Sequence, residues 1–296
     1  MLGAELAARH EGFGRPLLYR RTPDSYELVP DQRVVRLGRT TTINTLGVRG
    51  DAMPPRQAPA TWRIMILGDS VANGGTQLDD AQTFAARTSR ELASNGCKND
   101  VLNASAGGWA LSDEVSWLQR HGLYGAQSVV WVINYMDLDQ SSSGPGIVDS
   151  NPAFPSHPPM FGLSEILFRY ALPRLGITPP TADKGSVPDG TFDQRQFALN
   201  RIIVRAQAAG LARNHVPLIV LYHDGPQPMP PARVAAEQLF LADLASQGIA
   251  VVRSALNTGP GSARFYADEI HPNSAGAERI AHTLAISLHN RCTTGR

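Results

Sequence analysis

Arg63-Ile64-Met65-Ile66-Leu67-Gly68-Asp69-Ser70 decides how the rest of the chain is read. Ile64–Leu67 is a short, continuous apolar run with β-branched content, the pattern of a buried strand. It stops at Gly-Asp-Ser, and helical spacing follows. A strand feeding a tight turn leaves the Ser70 hydroxyl where the strand ends. There the oxygen sits near backbone N–H groups, and the dipole of a following helix favours developing negative charge. The same local sequence also describes a serine that only caps a helix, and taken alone the cap is the simpler reading.

Downstream, strands and helices alternate. Helical spacing over 84–93 is stopped by Asn95-Gly96, and Val101–Asn103 is a short strand. Residues 112–118 read as a helix with Ser112 at the N-cap and Asp113 and Glu114 in the first turn. Ser128–Ile133 is a second buried strand. After a long interruption come a helix over 192–213, a strand over 217–222, a helix over 231–247, a strand over 249–252 and a last helix over 273–289. This alternation predicts a parallel sheet covered on both faces, a three-layer α/β/α domain. Sites in such sheets form outside the carboxyl ends of the strands. Ser70, Asn103, Asn134, His223 and Asp268 all fall at or just past predicted strand or loop ends.

The regions outside this pattern are an extension over 1–60 and an insertion at about 141–190. The extension is rich in Arg, Pro and Gly, with short strand signals at Leu17–Tyr19 and Val34–Leu37. Asp51–Pro59, with three prolines, reads as a linker to the main domain over 61–296. The insertion follows a strand end, is dense in Ser, Pro and Gly, and has one helical stretch over 162–172. A segment of this kind is expected to lie over the active face as a lid or wall.

The chain has 296 residues, 42% of them hydrophobic, and a formal net charge of +1. That balance gives no reason to expect nucleic acid as a partner. No apolar run is long enough for a membrane span. The N-terminus is too polar for a signal peptide, so the chain reads as soluble and unexported, although a chain whose anchor had been removed would read the same. There is no Walker-type loop, no Gly-x-Gly-x-x-Gly and no Cys/His cluster with metal spacing.

A serine nucleophile needs a base, and the base needs an orienting carboxylate. Asp268-Glu269-Ile270-His271-Pro272-Asn273 offers both, three residues apart on a turn that Pro272 helps close. Gly107-Gly108 follows the second strand, where glycine lets the backbone approach a ligand and offer its N–H. Each of these alone also describes an ordinary turn. Other candidates weigh less. Asp69 fixes the turn, Asn73 reads as a solvated helix residue, and His223-Asp224 reads as loop. Tyr135 and Trp109 flank the motif turns and could stack on a ligand ring or belong to the core.

Taken together, Ile-Leu-Gly-Asp-Ser-x-x-x-Gly, Asn-x-x-x-x-Gly and Asp-x-x-His-Pro-Asn, in that order, resemble the SGNH (GDSL) hydrolase superfamily. Tyr26–Pro30 and Ile43-Asn44-Thr45-Leu46-Gly47-Val48-Arg49-Gly50 resemble the lead-in of a bacterial subgroup. The resemblance implies a flavodoxin-like sheet and a site that cleaves esters or thioesters without a cofactor. It implies Ser70 as nucleophile, His271 as base, Asp268 as its partner, and the N–H groups of Ser70 and Gly108 as oxyanion donors. The expected substrate is a small-molecule or carbohydrate ester with a short acyl or acetyl group. One block departs. The family's Gly-x-Asn-Asp becomes Ile133-Asn134-Tyr135-Met136-Asp137, which puts Met136 where the third oxyanion donor stands. Asn134 lies two residues earlier, roughly 6.6 Å back along a strand. Either Asn134 serves from a bulged strand end, or another group serves, or the donor is missing. The departure leaves room for an O-acyltransferase acting on a glycan or for a non-catalytic glycan-binding relative. On the resemblance, Cys97 and Cys292 would both lie at the face opposite the site. A disulfide between them would point to an exported, periplasmic-type setting.

Overall fold

The structure is a computed structural model that describes residues 2–177, 192–225, 229–257 and 261–294. The extension opens with helix α1 (Leu2–His10) and two antiparallel hairpins. Strands β1 (Tyr19–Arg21) and β2 (Tyr26–Leu28) form one; β3 (Gln32–Arg36) and β4 (Arg39–Ile43) form the other. The short strand signals of the sequence thus lie within one or two residues of β1 and β3. Their hairpin partners β2 and β4 carry weaker apolar patterns.

Strand β5 (Trp62–Gly68) is the first strand of the five-stranded sheet and ends in the single helical turn α2 (Ser70–Asn73). It is followed by α3 (Phe84–Ser94), β6 (Asn99–Ser105), α4 (Leu111–His121) and β7 (Ser128–Asn134). The insertion contains one continuous helical run. It begins as α5 (Gly162–Glu165), widens to a π-helix over Ile166–Ala171 and closes as α6 (Leu172–Arg174). Most of the loop expected over 173–190 lies outside the described residues. The chain then forms α7 (Gln194–Arg213), β8 (Leu218–His223), α8 (Pro231–Ser246), β9 (Ala250–Arg253) and α9 (Ser274–Thr294).

The five main strands are parallel in the order β6-β5-β7-β8-β9. Strand periodicity sends alternate residues to opposite faces. Ile64 and Ile66, with Val130, Val132, Ile219 and Leu221, pack toward α3 and α9. Met65 and Leu67, with Val129, Trp131, Ile133, Val220 and Tyr222, pack on the other face. That second layer also takes in Tyr26, Leu28, Val34 and Ile43 from the N-terminal segment, so this segment shares a core with the five-stranded sheet. Both faces being covered explains why β5 and β7 read as unbroken apolar runs. Each fully buried aliphatic side chain of this kind contributes about 1.5–3 kcal/mol.

One helix start differs from expectation. Ala110, not Ser112, is the N-cap of α4, and its N–H donates to Oδ2 of Asp113 at 2.9 Å. The Asp113 carboxylate also accepts from Ser25 and Ser142, so the cap ties extension, helix and insertion together.

Cys97 and Cys292 form a disulfide with Cα atoms 6.0 Å apart. It joins the loop before β6 to the last turns of α9, at the amino ends of the strands and away from Ser70.

Candidate active site

Ser70 is the first residue of α2, and the cap is Asp69, whose Oδ1 accepts the Val71 N–H at 2.9 Å. The competing reading of Ser70 as the cap is therefore corrected: the neighbouring carboxylate does that work, and the Ser70 hydroxyl is not the capping group. Because α2 is a single turn, little macrodipole reaches Ser70, and the local N–H groups matter instead. Gly68 is required for this turn. A Cβ there would stand 2.8 Å from Ala72 Cβ and 3.0 Å from Val132 Cβ.

The Asp268–His271 turn comes to the same place from the other end of the chain. His271 Nε2 lies 2.9 Å from Ser70 Oγ. His271 Nδ1 lies 2.7 Å from Asp268 Oδ2 and 2.9 Å from Oδ1. Asp268 Oδ1 also accepts the N–H of Ile270 at 3.0 Å and of His271 at 2.8 Å, and Gln77 Nε2 approaches Oδ2 at 3.4 Å. Burial pushes the Asp268 carboxyl up, but these N–H bonds and the imidazole outweigh it and hold the group below the usual carboxylate range. With Asp268 ionised, Nδ1 carries the proton and Nε2 presents a lone pair to the serine. A hydroxyl, an imidazole and a carboxylate in this order can move the serine proton as a bond forms at Oγ.

Among the described residues, the backbone N–H groups of Ser70 and Gly108 have no hydrogen-bond partner. Gly108 has φ +73°, and a Cβ there would meet Phe154 Cζ at 2.9 Å and Tyr26 Oη at 3.0 Å. Only glycine fits that close approach. Tyr26 Oη in turn donates to the Gly107 carbonyl at 3.1 Å, and the Tyr19, Tyr26 and Phe154 rings pack together, with Phe154 at 5.1 and 5.3 Å from the other two. Extension and insertion thus both brace the glycine turn, and Phe154 is the part of the insertion that stands against it.

Asn134 ends β7 and is buried beneath Ser70. Its Nδ2 donates to Asp69 Oδ2 at 3.1 Å and to Asp137 Oδ2 at 2.7 Å, while its Oδ1 accepts the Met136 N–H at 2.7 Å. Both amide protons are occupied by carboxylates. Met136 is 40% exposed. Asp69 also lies 3.3 Å from Ser70 Oγ, so the chain Ser70–Asp69–Asn134–Asp137 forms a floor under the site. Burial raises the Asp69 carboxyl, opposed by the Val71 N–H and by His271. Burial raises Asp137 and Glu114 further still, and the negative charges in this group add to the effect.

Several lesser candidates sit differently from expectation. Asn73 is not solvated; it is buried, and its Nδ2 donates to the Ser105 carbonyl at 2.9 Å. His223 is not on a loop: it ends β8, is buried, and its Nε2 contacts the Ile270 carbonyl at 2.8 Å, just before His271. Trp109 belongs to the core, with its indole N–H on the Tyr26 carbonyl at 2.9 Å. Tyr135 is half-buried at the rim.

Arg49, quoted above only as part of the lead-in motif, is a site-supporting residue whose role the sequence did not reveal. Buried at the end of the extension, its guanidinium donates to the carbonyls of Asn73, Gly75 and Leu78 and to Asp80. It therefore closes the loop that leads from Ser70 to Gln77. Its backbone N–H donates to the Asn103 carbonyl on the sheet's edge strand at 2.9 Å. The motif signal was present, but an arginine's bond to carbonyls leaves no pattern in spacing.

Among the described residues there is no cluster of His, Cys, Asp and Glu arranged to hold a metal, and no helix long and apolar enough to cross a membrane.

No family model matches the chain, and no curated protein matches it. Solved structures do. A lipase/acylhydrolase from Enterococcus faecalis is similar over 78% of this chain and 97% of its own, with a TM-score of 0.52 at 15% identity. TesA is similar over 77% of this chain and 98% of its own, with a TM-score of 0.50 at 17% identity. Nearly all of each relative is matched, while about a fifth of this chain is additional to them. With its five parallel strands between helical layers, and with these neighbours, the chain has the three-layer α/β/α fold of the SGNH (GDSL) hydrolases.

Proposed function

We propose that the protein is a serine-dependent ester hydrolase acting through an acyl-enzyme on short acyl esters, with carbohydrate as the alcohol. The observation that carries this reading is the Ser70 Oγ to His271 Nε2 contact of 2.9 Å, backed by Asp268 at 2.7 Å. In the first half-reaction, His271 Nε2 takes the Ser70 proton as Oγ bonds the ester carbonyl carbon. The carbonyl oxygen becomes an oxyanion held by the N–H groups of Ser70 and Gly108. Collapse of this intermediate breaks the bond to the alcohol oxygen, which leaves with the proton from His271. In the second half, His271 takes a proton from water, the hydroxide adds to the acyl carbon, and the acid leaves as Ser70 regains its proton. Asp268 holds the imidazole tautomer and stabilises the imidazolium.

The Cys97–Cys292 disulfide supports an oxidising compartment as the working environment. The alternative of acyl transfer to a sugar hydroxyl uses the same first half-reaction and differs only in the second acceptor.

The test is fluorophosphonate labelling and turnover of a short-chain aryl ester, with wild type beside Ser70→Ala. Labelling and turnover that both depend on Ser70 are expected. Absence of both in the wild type would overturn the reading, and acyl transfer to an added sugar exceeding hydrolysis would replace it with the transferase.

A further inference from the structure

A cavity of about 740 Å³ opens beside the Asp268 end of the Ser70–His271–Asp268 line. A volume of this size suits one or a few sugar rings. Gln77 connects the two: it lines the cavity and places its Nε2 3.4 Å from Asp268 Oδ2. The opposite walls come from the two parts of the chain outside the α/β core. The extension contributes Phe13, Arg36 and Arg39; the insertion contributes Tyr170 and Arg174.

The charge of this cavity is one-sided. Its lining contains three arginines and no carboxylate. Arg36 is structural. It is buried, paired with Glu165 at 2.7 Å, bonded to Tyr170 Oη at 2.7 Å and stacked 4.8 Å from the Phe13 ring centroid. It thereby fixes the aromatic wall, in which Phe13 and Tyr170 meet edge to face at 5.9 Å. Arg39 and Arg174 are different. Both are exposed, and neither has a carboxylate partner among the described residues. Three carboxylates on neighbouring elements are committed elsewhere: Asp79 to the N–H groups of Thr40 and Ala81, Glu165 to Arg36 and Arg169, and Asp268 to His271. Two uncompensated guanidiniums beside a rigid aromatic wall suit a ligand that carries negative charge on a ring with an apolar face.

We propose that this cavity binds an anionic sugar unit of the substrate, so that the ester removed at Ser70 is carried by an acidic glycan. The link to catalysis rests on the ester-hydrolase reading above; the ligand class rests on the cavity alone. A carboxylate or a sulfate on the ring presents the same chemistry to the arginines, and the test separates them.

Ser70→Ala protein is titrated calorimetrically with an oligogalacturonate hexamer, with a sulfated oligosaccharide of similar length and with neutral maltohexaose. At least one anionic oligosaccharide is expected to bind at least about tenfold more tightly than maltohexaose, with affinity falling as salt rises. Whichever anion binds more tightly identifies carboxylate or sulfate as the ligand group. Adding Arg39→Glu with Arg174→Glu should weaken that binding at least about tenfold. The Arg39→Gln, Arg174→Gln pair should weaken it in the same direction without reversing charge. The exposed Arg56→Glu should leave it unchanged, and thermal melts check that each variant is folded. No binding of either anionic oligosaccharide, equal binding of maltohexaose, or undiminished binding in the double variants would overturn the proposal. Because the readout is binding, failure of the hydrolase reading shows separately, as missing Ser70-dependent turnover of the aryl ester.

Discussion

Asn134 Nδ2 donates to Asp69 Oδ2 at 3.1 Å, so this side-chain amide is spent on the carboxylate that caps the turn at Ser70. It has no proton left for an oxyanion, since the second goes to Asp137 at 2.7 Å. In the reading proposed above the oxyanion is held by two backbone donors, at Ser70 and Gly108, and a methionine stands where the sequence resemblance places a third. Met136→Asn is expected to raise kcat for a short aryl ester, by up to the roughly 10²-fold that one such donor is worth, with little change in KM. Asn134→Leu should instead destabilise the fold by about 1–3 kcal/mol, because it strands two buried carboxylates. Steady-state kinetics on both variants and urea unfolding of the second check these outcomes. A Met136→Asn enzyme no faster than wild type would show that the third donor comes from elsewhere.

His223 sets a pH limit on stability. It is buried, and burial lowers its pKa to about 4 despite the Ile270 carbonyl at 2.8 Å, which keeps the proton on Nε2. In the unfolded chain a histidine takes up its proton near pH 6.5. Between these values the unfolded state binds the extra proton, so stability is fully present above about pH 6.5 and is lost as pH falls toward 4. A shift of this size corresponds to about 3 kcal/mol. His223→Gln keeps a donor for Ile270 and removes the titration. Urea unfolding at pH 7 and pH 4.5 should therefore show a smaller loss in the variant than in wild type. The comparison cancels Asp69, Asp137 and Glu114, whose raised values act in the opposite direction. Equal losses in the two proteins would refute the assignment.

The fold was legible because its main strands are buried on both faces, and continuous runs such as Ile64–Leu67 and Ser128–Ile133 have few other readings. The proximity of Ser70, Asp268 and His271 was legible because chain order and strand ends constrain where such groups meet. What was not legible depends on tertiary partners. Asp69 rather than Ser70 caps α2, and Asp113 rather than Ser112 anchors the start of α4, because side-chain capping depends on turn geometry that local composition does not distinguish. Asn73 and His223 looked solvent-facing, yet neighbouring strands bury both. Phe154 reaches Gly108 across the insertion, a contact with no sequence periodicity at all.

The disulfide should matter more for stability than for chemistry. It closes a loop of 195 residues between the turn before β6 and the end of α9. The chain-entropy argument gives about 5 kcal/mol for such a loop, and native bridges typically deliver 2–5 kcal/mol. Cys97→Ser with Cys292→Ser, or reduction by dithiothreitol, should lower Tm by several degrees or more. Initial rates at 25 °C should stay near wild type as long as the fold persists, since the bridge lies at the end of the sheet away from Ser70. A Tm unchanged by reduction would show that the bridge does not form in solution.

Arg49 connects the extension to the loop after Ser70, and its replacement should separate positioning from folding. Its guanidinium is buried and donates to three carbonyls of the loop after Ser70 as well as to Asp80. That loop carries Gln77, which touches Asp268. A lysine keeps the charge but cannot span four acceptors with one ammonium group. Arg49→Lys should therefore cost about 2–4 kcal/mol of stability, chiefly from carbonyls left unpaired in a buried place. Arg49 touches neither Ser70 nor His271, so in the reading proposed above its effect on turnover comes through the placement of Ser70 and Asp268. At a temperature where the variant is folded, kcat should fall about tenfold with KM for a small aryl ester little changed. A purely structural role predicts wild-type kcat per folded molecule. Measuring kcat against active-site concentration, titrated with a fluorophosphonate, distinguishes the two: normal kcat per labelled site would leave Arg49 a stabilising residue only.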